Sequence, residues 1–406
     1  MRAASRGACT VNEKQTYDRH LLCVTIFLVA LGLIMVMSAS LSIGQERFSS
    51  PFFFLQNHAI RVALGICLLI VFMRIPFGVY RRFSLWILVG SFVLLVALFP
   101  WGVRVRGSCR WLSLPLVNCM VQPVEIAKFA LVVFFATRIA DTNRRITDFR
   151  RGFLPLVGVV ALMAVLVALQ PNFSNALLLV MIAIAMLFIG GCRLVHLVSF
   201  GAGIAGVAYV VMSRCAQVQD RIEAFRDRAH DLQGINWHVD QSLIAFGSGF
   251  ITGCGPGRGH QKYNFLPDAH TDFIYSIVGE EFGIIGTMLV LALFVFIFAR
   301  AVRAAVRAPS SFGYLLALGI GISITAAALI NMAMTLGIVP TAGLPLPFMS
   351  YGGSSLLTAM ASIGILLNIS AEGRASAHPF APALRPRRAV RRVYARRVQA
   401  NKRVTR

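Results

Sequence analysis

Charged residues are scarce in this sequence: Asp, Glu, Lys and Arg supply only 14% of its 406 residues, where an ordinary soluble domain carries roughly a quarter. With 57% of the chain hydrophobic and a mean hydropathy of +0.73, that scarcity excludes a water-soluble fold. Acids are scarcer still. Sixteen Asp and Glu face 39 Lys and Arg, a net charge of +23 that in a soluble protein would raise nucleic acid as a partner. No aromatic interleaving of the basic cluster supports base stacking, so no nucleic-acid partner is expected.

Metal and nucleotide motifs are missing too. The eight cysteines include no Cys-x-x-Cys, which leaves no metal site to expect. Cys109 with Cys119, or Cys215 with Cys254, could pair on the outer side, although buried thiols also serve as small apolar residues. Gly253-Cys-Gly-Pro-Gly-Arg-Gly259 has the glycines of a phosphate-binding loop, but Pro256 and the lack of a strand-to-helix setting argue against it. Together with Phe246-Gly-Ser-Gly249 it is expected to form a flexible turn region over the membrane surface.

Abundant instead are apolar blocks able to cross roughly 30 Å of hydrocarbon. Ten run at about Leu21–Ile43, His58–Met73, Ser84–Phe99, Gln122–Ile139, Phe153–Leu169, Asn175–Gly191, Val195–Ser213, Asp272–Ala299, Phe312–Leu336 and Pro347–Ile369. The expected fold is all-α and integral to the membrane, with about ten transmembrane helices and a large extracytoplasmic loop, Arg214–Thr271, between the seventh and eighth. The first block is too long for a signal-peptide core, and despite the small residues Ser38-Ala39-Ser40 it is expected to be a retained anchor.

An even number of spans puts both ends on one side. With the N-terminus in the cytoplasm, 27 of the 39 basic residues fall inside, as the positive-inside rule requires of a multi-pass protein of the cytoplasmic (inner) membrane. Three parts follow: a cytoplasmic segment 1–20, a ten-helix domain 21–370 containing the outer loop 214–271, and a basic tail 371–406. The tail is expected to be disordered and to meet anionic lipid headgroups. Within the outer loop, Asp220, Arg221, Glu223, Arg226, Asp227 and Arg228 have the spacing of an amphipathic surface helix.

Three clusters could carry chemistry. Ionisable groups inside a span are costly and suggest function, which selects Glu125 and Lys128, three residues apart on one helix face. They form either a self-compensating ion pair or part of a polar cavity, or both. His270-Thr271-Asp272 stands at the outer entrance of the eighth span, with Glu280 and Glu281 about 12 Å deeper. Asp272 or Thr271 could be a helix N-cap, or Asp272 a general base. Finally, three prolines and three glycines between Pro340 and Ser355 must break regular helix, and a helix starting near Ser354 would aim free N–H groups at an anionic headgroup.

Arg110-Trp111-Leu112, Gln122-Pro-Val-Glu-Ile-Ala-Lys128, Gln170-Pro171, Gln241-Ser-Leu-Ile-Ala-Phe-Gly-Ser-Gly249, Gln261-Lys262 and Phe265-Leu-Pro-Asp-Ala-His-Thr-Asp-Phe-Ile-Tyr275 follow one another in this frame. Gly279-Glu-Glu-Phe-Gly283 and Leu346-Pro-Phe-Met-Ser-Tyr-Gly-Gly-Ser-Ser355 complete the set. Across nearly all of the helical body the chain resembles the SEDS family (shape, elongation, division and sporulation) of membrane-embedded peptidoglycan polymerases. Ser38-Ala-Ser40, Pro51-Phe-Phe-Phe-Leu55 and Gln261-Lys262 favour its division branch over its elongation branch. One departure stands out: where the family usually continues Gln-Pro with Asp-x-Gly-Thr, this chain has Asn172-Phe-Ser-Asn175, and Asn172 is left to cap the sixth helix.

The resemblance implies a peptidoglycan glycosyltransferase that polymerises lipid II, a disaccharide-pentapeptide on undecaprenyl diphosphate, at the outer membrane face during septal wall synthesis. It assigns the base to Asp272, with Glu125 as the competing carboxylate. Arg110, Lys128 and Lys262 would offset charge on the departing diphosphate, alone or with a divalent cation such as Mg²⁺ or Mn²⁺. Gln122, His270, Thr271, Ser350, Gly352, Gly353 and Ser354 complete the implied substrate-binding set. A single-span class B penicillin-binding transpeptidase and other divisome membrane proteins are the implied partners. Two other classes remain open: a lipid II flippase, since ten helices around a polar cavity also describe carriers, and a non-catalytic divisome scaffold, which the Asn172 departure would suit.

Overall fold

In a computed structural model the described residues are 17–105, 108–114, 119–142, 145–226, 235–263 and 265–375. The basic tail from residue 376, the first 16 residues, and Asp227 and Arg228 of the amphipathic pattern lie outside them. Lipid offers no partner for backbone N–H or C=O, so each apolar block must close its hydrogen bonds internally. Every predicted block becomes a helix. They are α1 (Arg19–Phe48), α2 (Phe53–Arg74), α3 (Gly78–Trp101), α4 (Pro123–Thr142), α5 (Leu154–Ala168), α6 (Phe173–Ile189) and α7 (Leu194–Arg214). After two helices of the outer loop, α8 (Ala216–Arg226) and α9 (Ile235–Gly249), come α10 (Ile274–Arg307), α11 (Ser311–Thr335) and α12 (Gly353–Ala375).

Among the described residues, seven helical stretches are long and apolar enough to cross a bilayer, and α6 and the first part of α7 are shorter apolar helices. The chain is a multi-pass membrane protein. Its α4 is set apart by the charges Glu125, Lys128, Arg138 and Asp141 within 20 residues. The tenth helix starts at Gly353 rather than Pro347, because Pro345 and Pro347 supply no N–H and the chain around them stays irregular. α12 packs along α2, α10 beside α11, and α3 against α4.

Among the described residues the structure departs from all-α at one place. β1 (Gly102–Val105), β2 (Ser108–Leu114) and β3 (Cys119–Val121) form an antiparallel sheet in that order between α3 and α4. Val103-Arg-Val-Arg106 alternates apolar with basic residues, a two-residue period that suits a strand with one covered face.

The Gly-rich outer segment forms turns over 250–263, as expected, and these pack against α10. Phe246–Gly249 closes α9, and a Cβ on Gly249 would lie 1.9 Å from the Gly279 carbonyl oxygen of α10. Beyond it the chain fills a kink in α10 at Gly283, whose φ of +63° favours glycine. The kink frees helix amides and carbonyls, and the loop takes them up. Ile284 and Ile285 N–H donate to the carbonyls of Phe250 and Ile251 (3.0 and 3.3 Å), while Cys254 and Gly255 N–H donate to those of Glu280 and Glu281 (3.0 and 3.1 Å). The Cys254 thiol also donates to the Glu280 carbonyl, and Cys109, Cys215 and Cys254 are free, so neither expected disulfide forms.

At the opposite end of the bundle a buried ion pair ties three helices together. Asp18 caps α1 by accepting from Leu21 N–H at 3.3 Å, and its second oxygen accepts from Arg300 Nε of α10 at 2.7 Å and from Arg300 Nη2. Asp18 N–H donates to Ser370 Oγ of α12 at 3.3 Å. Removing one partner of such a pair strands a buried charge, at about 3–5 kcal/mol. Arg300→Leu is therefore expected to lower the melting temperature of the purified protein sharply, and the double variant Asp18→Leu/Arg300→Leu to recover most of the loss.

Candidate active site

The site is built on the irregular segment 336–352 between α11 and α12. Asn331, buried on α11, holds it: its Nδ2 donates both to the Leu344 carbonyl (2.7 Å) and to the Asp272 carbonyl (2.8 Å). Leu346 N–H donates to Ser350 Oγ at 2.8 Å, and Tyr351 N–H to the His270 carbonyl at 2.9 Å. Two chain segments 70 to 80 residues apart are thus fixed to each other by backbone groups that lipid could not satisfy. Ser350, expected to touch substrate, spends its hydroxyl on the turn.

This joint brings Asp272 and Arg110 together. A methyl group on Gly343 would lie 3.4 Å from Arg110 Nη1 and 3.8 Å from Asp272 Oδ2, ordinary contact distances, so position 343 lies against both groups. Arg110 also donates to the Pro171 carbonyl from Nη2. Burial and the nearby Arg221 pull the Arg110 pKa down while Asp272 opposes them, and a guanidinium stays charged throughout. Arg221 reaches over from α8, donating to the Thr341 carbonyl at 3.3 Å. Its only signal in the sequence was a place in an amphipathic pattern shared with Asp220 and Glu223.

Glu125 and Lys128 form the expected ion pair, Nζ to Oε1 at 2.7 Å, with both side chains buried. They also line a small cleft of about 40 Å³, whose other walls are mostly apolar, with Val132, Ile324 and Leu344 among them, and include the hydroxyls of Ser323, Ser355 and Thr358. The self-compensating pair is present, and the cleft it faces is more apolar than polar. Gln122 N–H donates to Ser354 Oγ at 2.8 Å, tying α4 to the first turn of α12.

His270 joins an aromatic cluster with Phe54 (4.8 Å between ring centroids) and Tyr351 (5.7 Å). Over the Tyr351 ring, 4.3 Å from its centre, lies the guanidinium of Arg61 on α2, and a Cβ on Gly353 would fall 3.3 Å from Arg61 Nε. A cation therefore sits at the N-terminal end of α12, between Gly352 and Gly353 and the aromatic cluster, an arrangement suited to an anion. Arg61 was missed, although the rule that selected Glu125 and Lys128, an ionisable group inside an apolar block, applies equally to it.

Other expectations fare differently. Lys262 is not among the cations beside Asp272: buried, it donates to Glu281 Oε1 and Ser38 Oγ, both at 3.0 Å, and lines a second cleft. Glu280 accepts from the backbone of His260 (2.6 Å) and Gln261 (3.2 Å), which makes it an anchor for the loop. Neither Asp272 nor Thr271 caps α10. Phe273 occupies that position without a side-chain bond, and Thr271 Oγ1 donates to the Asp268 carbonyl at 3.2 Å. Asn172 caps no amide with its side chain; its Oδ1 accepts from Asn175 Nδ2 at 2.9 Å. Among the described residues no three His, Cys, Asp or Glu side chains converge to hold a metal ion.

At this end of the bundle, then, a carboxylate and a guanidinium both lie against Gly343, and a cation-flanked helix terminus is joined to the same segment through the backbone bond from Tyr351 to His270. Residues 19–375 match the model of the FtsW, RodA and SpoVE family, described as cell cycle protein. A probable peptidoglycan glycosyltransferase FtsW of Trichlorobacter lovleyi is 40% identical over 359 residues, covering 87% of this chain and 93% of that protein. The corresponding protein of Escherichia coli O157:H7 is 38% identical (88% and 87% covered), and stage V sporulation protein E of Bacillus subtilis 34% (89% and 99%). Among solved structures the fold is similar to a chain of a peptidoglycan synthase complex that coordinates polymerization and crosslinking (TM-score 0.71, 22% identity, 89% of this chain and 99% of that one). It is also similar to the rod shape determining protein RodA of Thermus thermophilus (TM-score 0.65, 22% identity, 87% and 97%).

Asn331 is the residue whose loss should loosen this site without touching its charges. Asn331→Leu leaves two buried carbonyls unpaired, at about 1–3 kcal/mol each. Hydrogen exchange over residues 342–346 is expected to rise at least tenfold, with exchange in α5 unchanged.

Proposed function

The chain belongs to the SEDS family, that of FtsW, RodA and SpoVE, and from this premise we propose that it is a division-type peptidoglycan glycosyltransferase that polymerises lipid II during septal wall synthesis. The observation that carries the reading is the approach of Arg110 and Asp272 to one another across Gly343.

An acceptor hydroxyl is too weak an acid to attack unaided at neutral pH. As it attacks the anomeric carbon, the new glycosidic C–O bond forms, the C–O bond to the diphosphate breaks, the hydroxyl proton passes to Asp272 and the diphosphate leaves as the anion. Glu125 is the weaker candidate for that proton, because its carboxylate is occupied by Lys128. Arg110 and Arg221 stand where they would offset the growing negative charge, and Arg61 with the first turn of α12 offers a second anionic subsite. A divalent cation, Mg²⁺ or Mn²⁺, would add to that positive charge.

The distribution of basic residues supports a reading with both termini in the cytoplasm, in which Asp272 stands at the outer face of the membrane, where a lipid-borne sugar is presented. The partner proposed is a class B penicillin-binding transpeptidase at the division septum. The relative of known structure that works within a peptidoglycan synthase complex supports that pairing.

Asp272→Asn is expected to abolish glycan polymerisation from lipid II by the purified protein with its partner, while the protein remains folded; normal glycan strands from that variant would refute the assignment. Translocated but unpolymerised lipid from the unaltered protein would instead identify a flippase. Lys128→Met should slow polymerisation more than tenfold, on the order of 1.4 kcal/mol or more, if the lysine meets diphosphate. An unchanged rate with a lowered melting temperature would limit Lys128 to its ion pair.

A further inference from the structure

A second cleft, of about 270 Å³, opens between α1 and the segment Pro256–Tyr263 and shares no lining residue with the cleft at Glu125 and Lys128. Its floor is the buried trio Ser38, Lys262 and Glu281, and Ile34 and Met37 of α1 form one wall. The depth follows from α1. Thirty residues span about 45 Å at roughly 1.5 Å each, some 15 Å more than the hydrocarbon. Counted from Arg19 at the inner end, the hydrocarbon is crossed by about Ser38, so the polar floor stands at the outer boundary of the bilayer.

The chemistry of this cleft differs from that of the Asp272 site. Lys262 and Glu281 neutralise one another at 3.0 Å, and Ser38 Oγ both donates to Glu281 and accepts from Lys262. A diphosphate entering here would meet a carboxylate with no surplus cation to receive it. The floor is a close set of donors and acceptors without net charge that bond one another and leave only their edges to the cleft. Above it stands the ring of Tyr263, 56% exposed. Paired donors and acceptors beside an open aromatic face match a neutral sugar, whose hydroxyls need both and whose C–H face packs on a ring.

The geometry points to a saccharide-binding site in this cleft, one that holds the glycan strand already made while the next unit reacts at Asp272. It rests on the proposed polymerase function, because only a polymerising enzyme needs a second hold on its own product. It also gives Lys262 a role away from the diphosphate.

The test uses the full-length protein in detergent, with soluble chitotetraose as the probe in saturation-transfer NMR, and strand length measured on products made from lipid II. Tyr263→Ala removes the ring, and Met37→Trp fills the cleft from the α1 wall without altering a polar group. Both are expected to weaken chitotetraose binding at least fivefold and to shorten strands at least threefold. Wild-type binding and strand length in both variants would overturn the site, as would transfer to glycerophosphate in place of the sugar. If the unaltered protein makes no glycan yet binds chitotetraose in a manner both variants lose, the polymerase reading fails while the saccharide site stands.

Discussion

A polar backbone cannot be left bare where water is absent, and the segment 336–352 is the place where this protein must meet that demand without a helix. Three prolines remove N–H groups, and Asn331, the Ser350 hydroxyl and the His270 carbonyl take up groups that remain. The same bonds that make the break tolerable join it to the segment carrying Asp272. Irregular backbone and candidate carboxylate are therefore one structural unit. The kink at Gly283 repeats the principle, its freed amides and carbonyls being taken up by the Gly-rich loop.

Charge is distributed by the same economy of solvation. Buried ions come as compensated pairs at both ends of the bundle: Glu125 with Lys128, Asp18 with Arg300, and Lys262 with Glu281. Such pairs add little net stability, because desolvation offsets most of their attraction, but they let helices carry polar groups through lipid. At the outer end Arg110 lies near Arg221, with like charge, and its burial is opposed only by Asp272. An excess of positive charge there is suited to an anionic ligand.

Much of this was legible in the sequence for a physical reason. A block of about twenty apolar residues has essentially one solution in lipid, so the helices could be placed, and the prolines and glycines after Pro340 had to break the last of them. Glu125 and Lys128 were legible because charge inside such a block is rare. Position relative to other segments was not. Arg221 looked like any residue of a solvated helix until α8 was seen to lie over Thr341, and the pairing of Lys262 with Glu281 depends on the kink at Gly283. The small sheet and α9 were hidden for a different reason: both are short outer elements whose periods are only a few residues long.

Gly343 lies against both Arg110 and Asp272, and a Cβ there would already touch the two at ordinary contact distance. A side chain longer than alanine's would have to push between them, where a ligand bridging the pair would also have to lie. A small molecule fitted to this space would therefore leave the organism little room to escape by mutation at the point of contact. Resistance would have to arise at a distance, by shifting the α8 cover or the Asn331 joint.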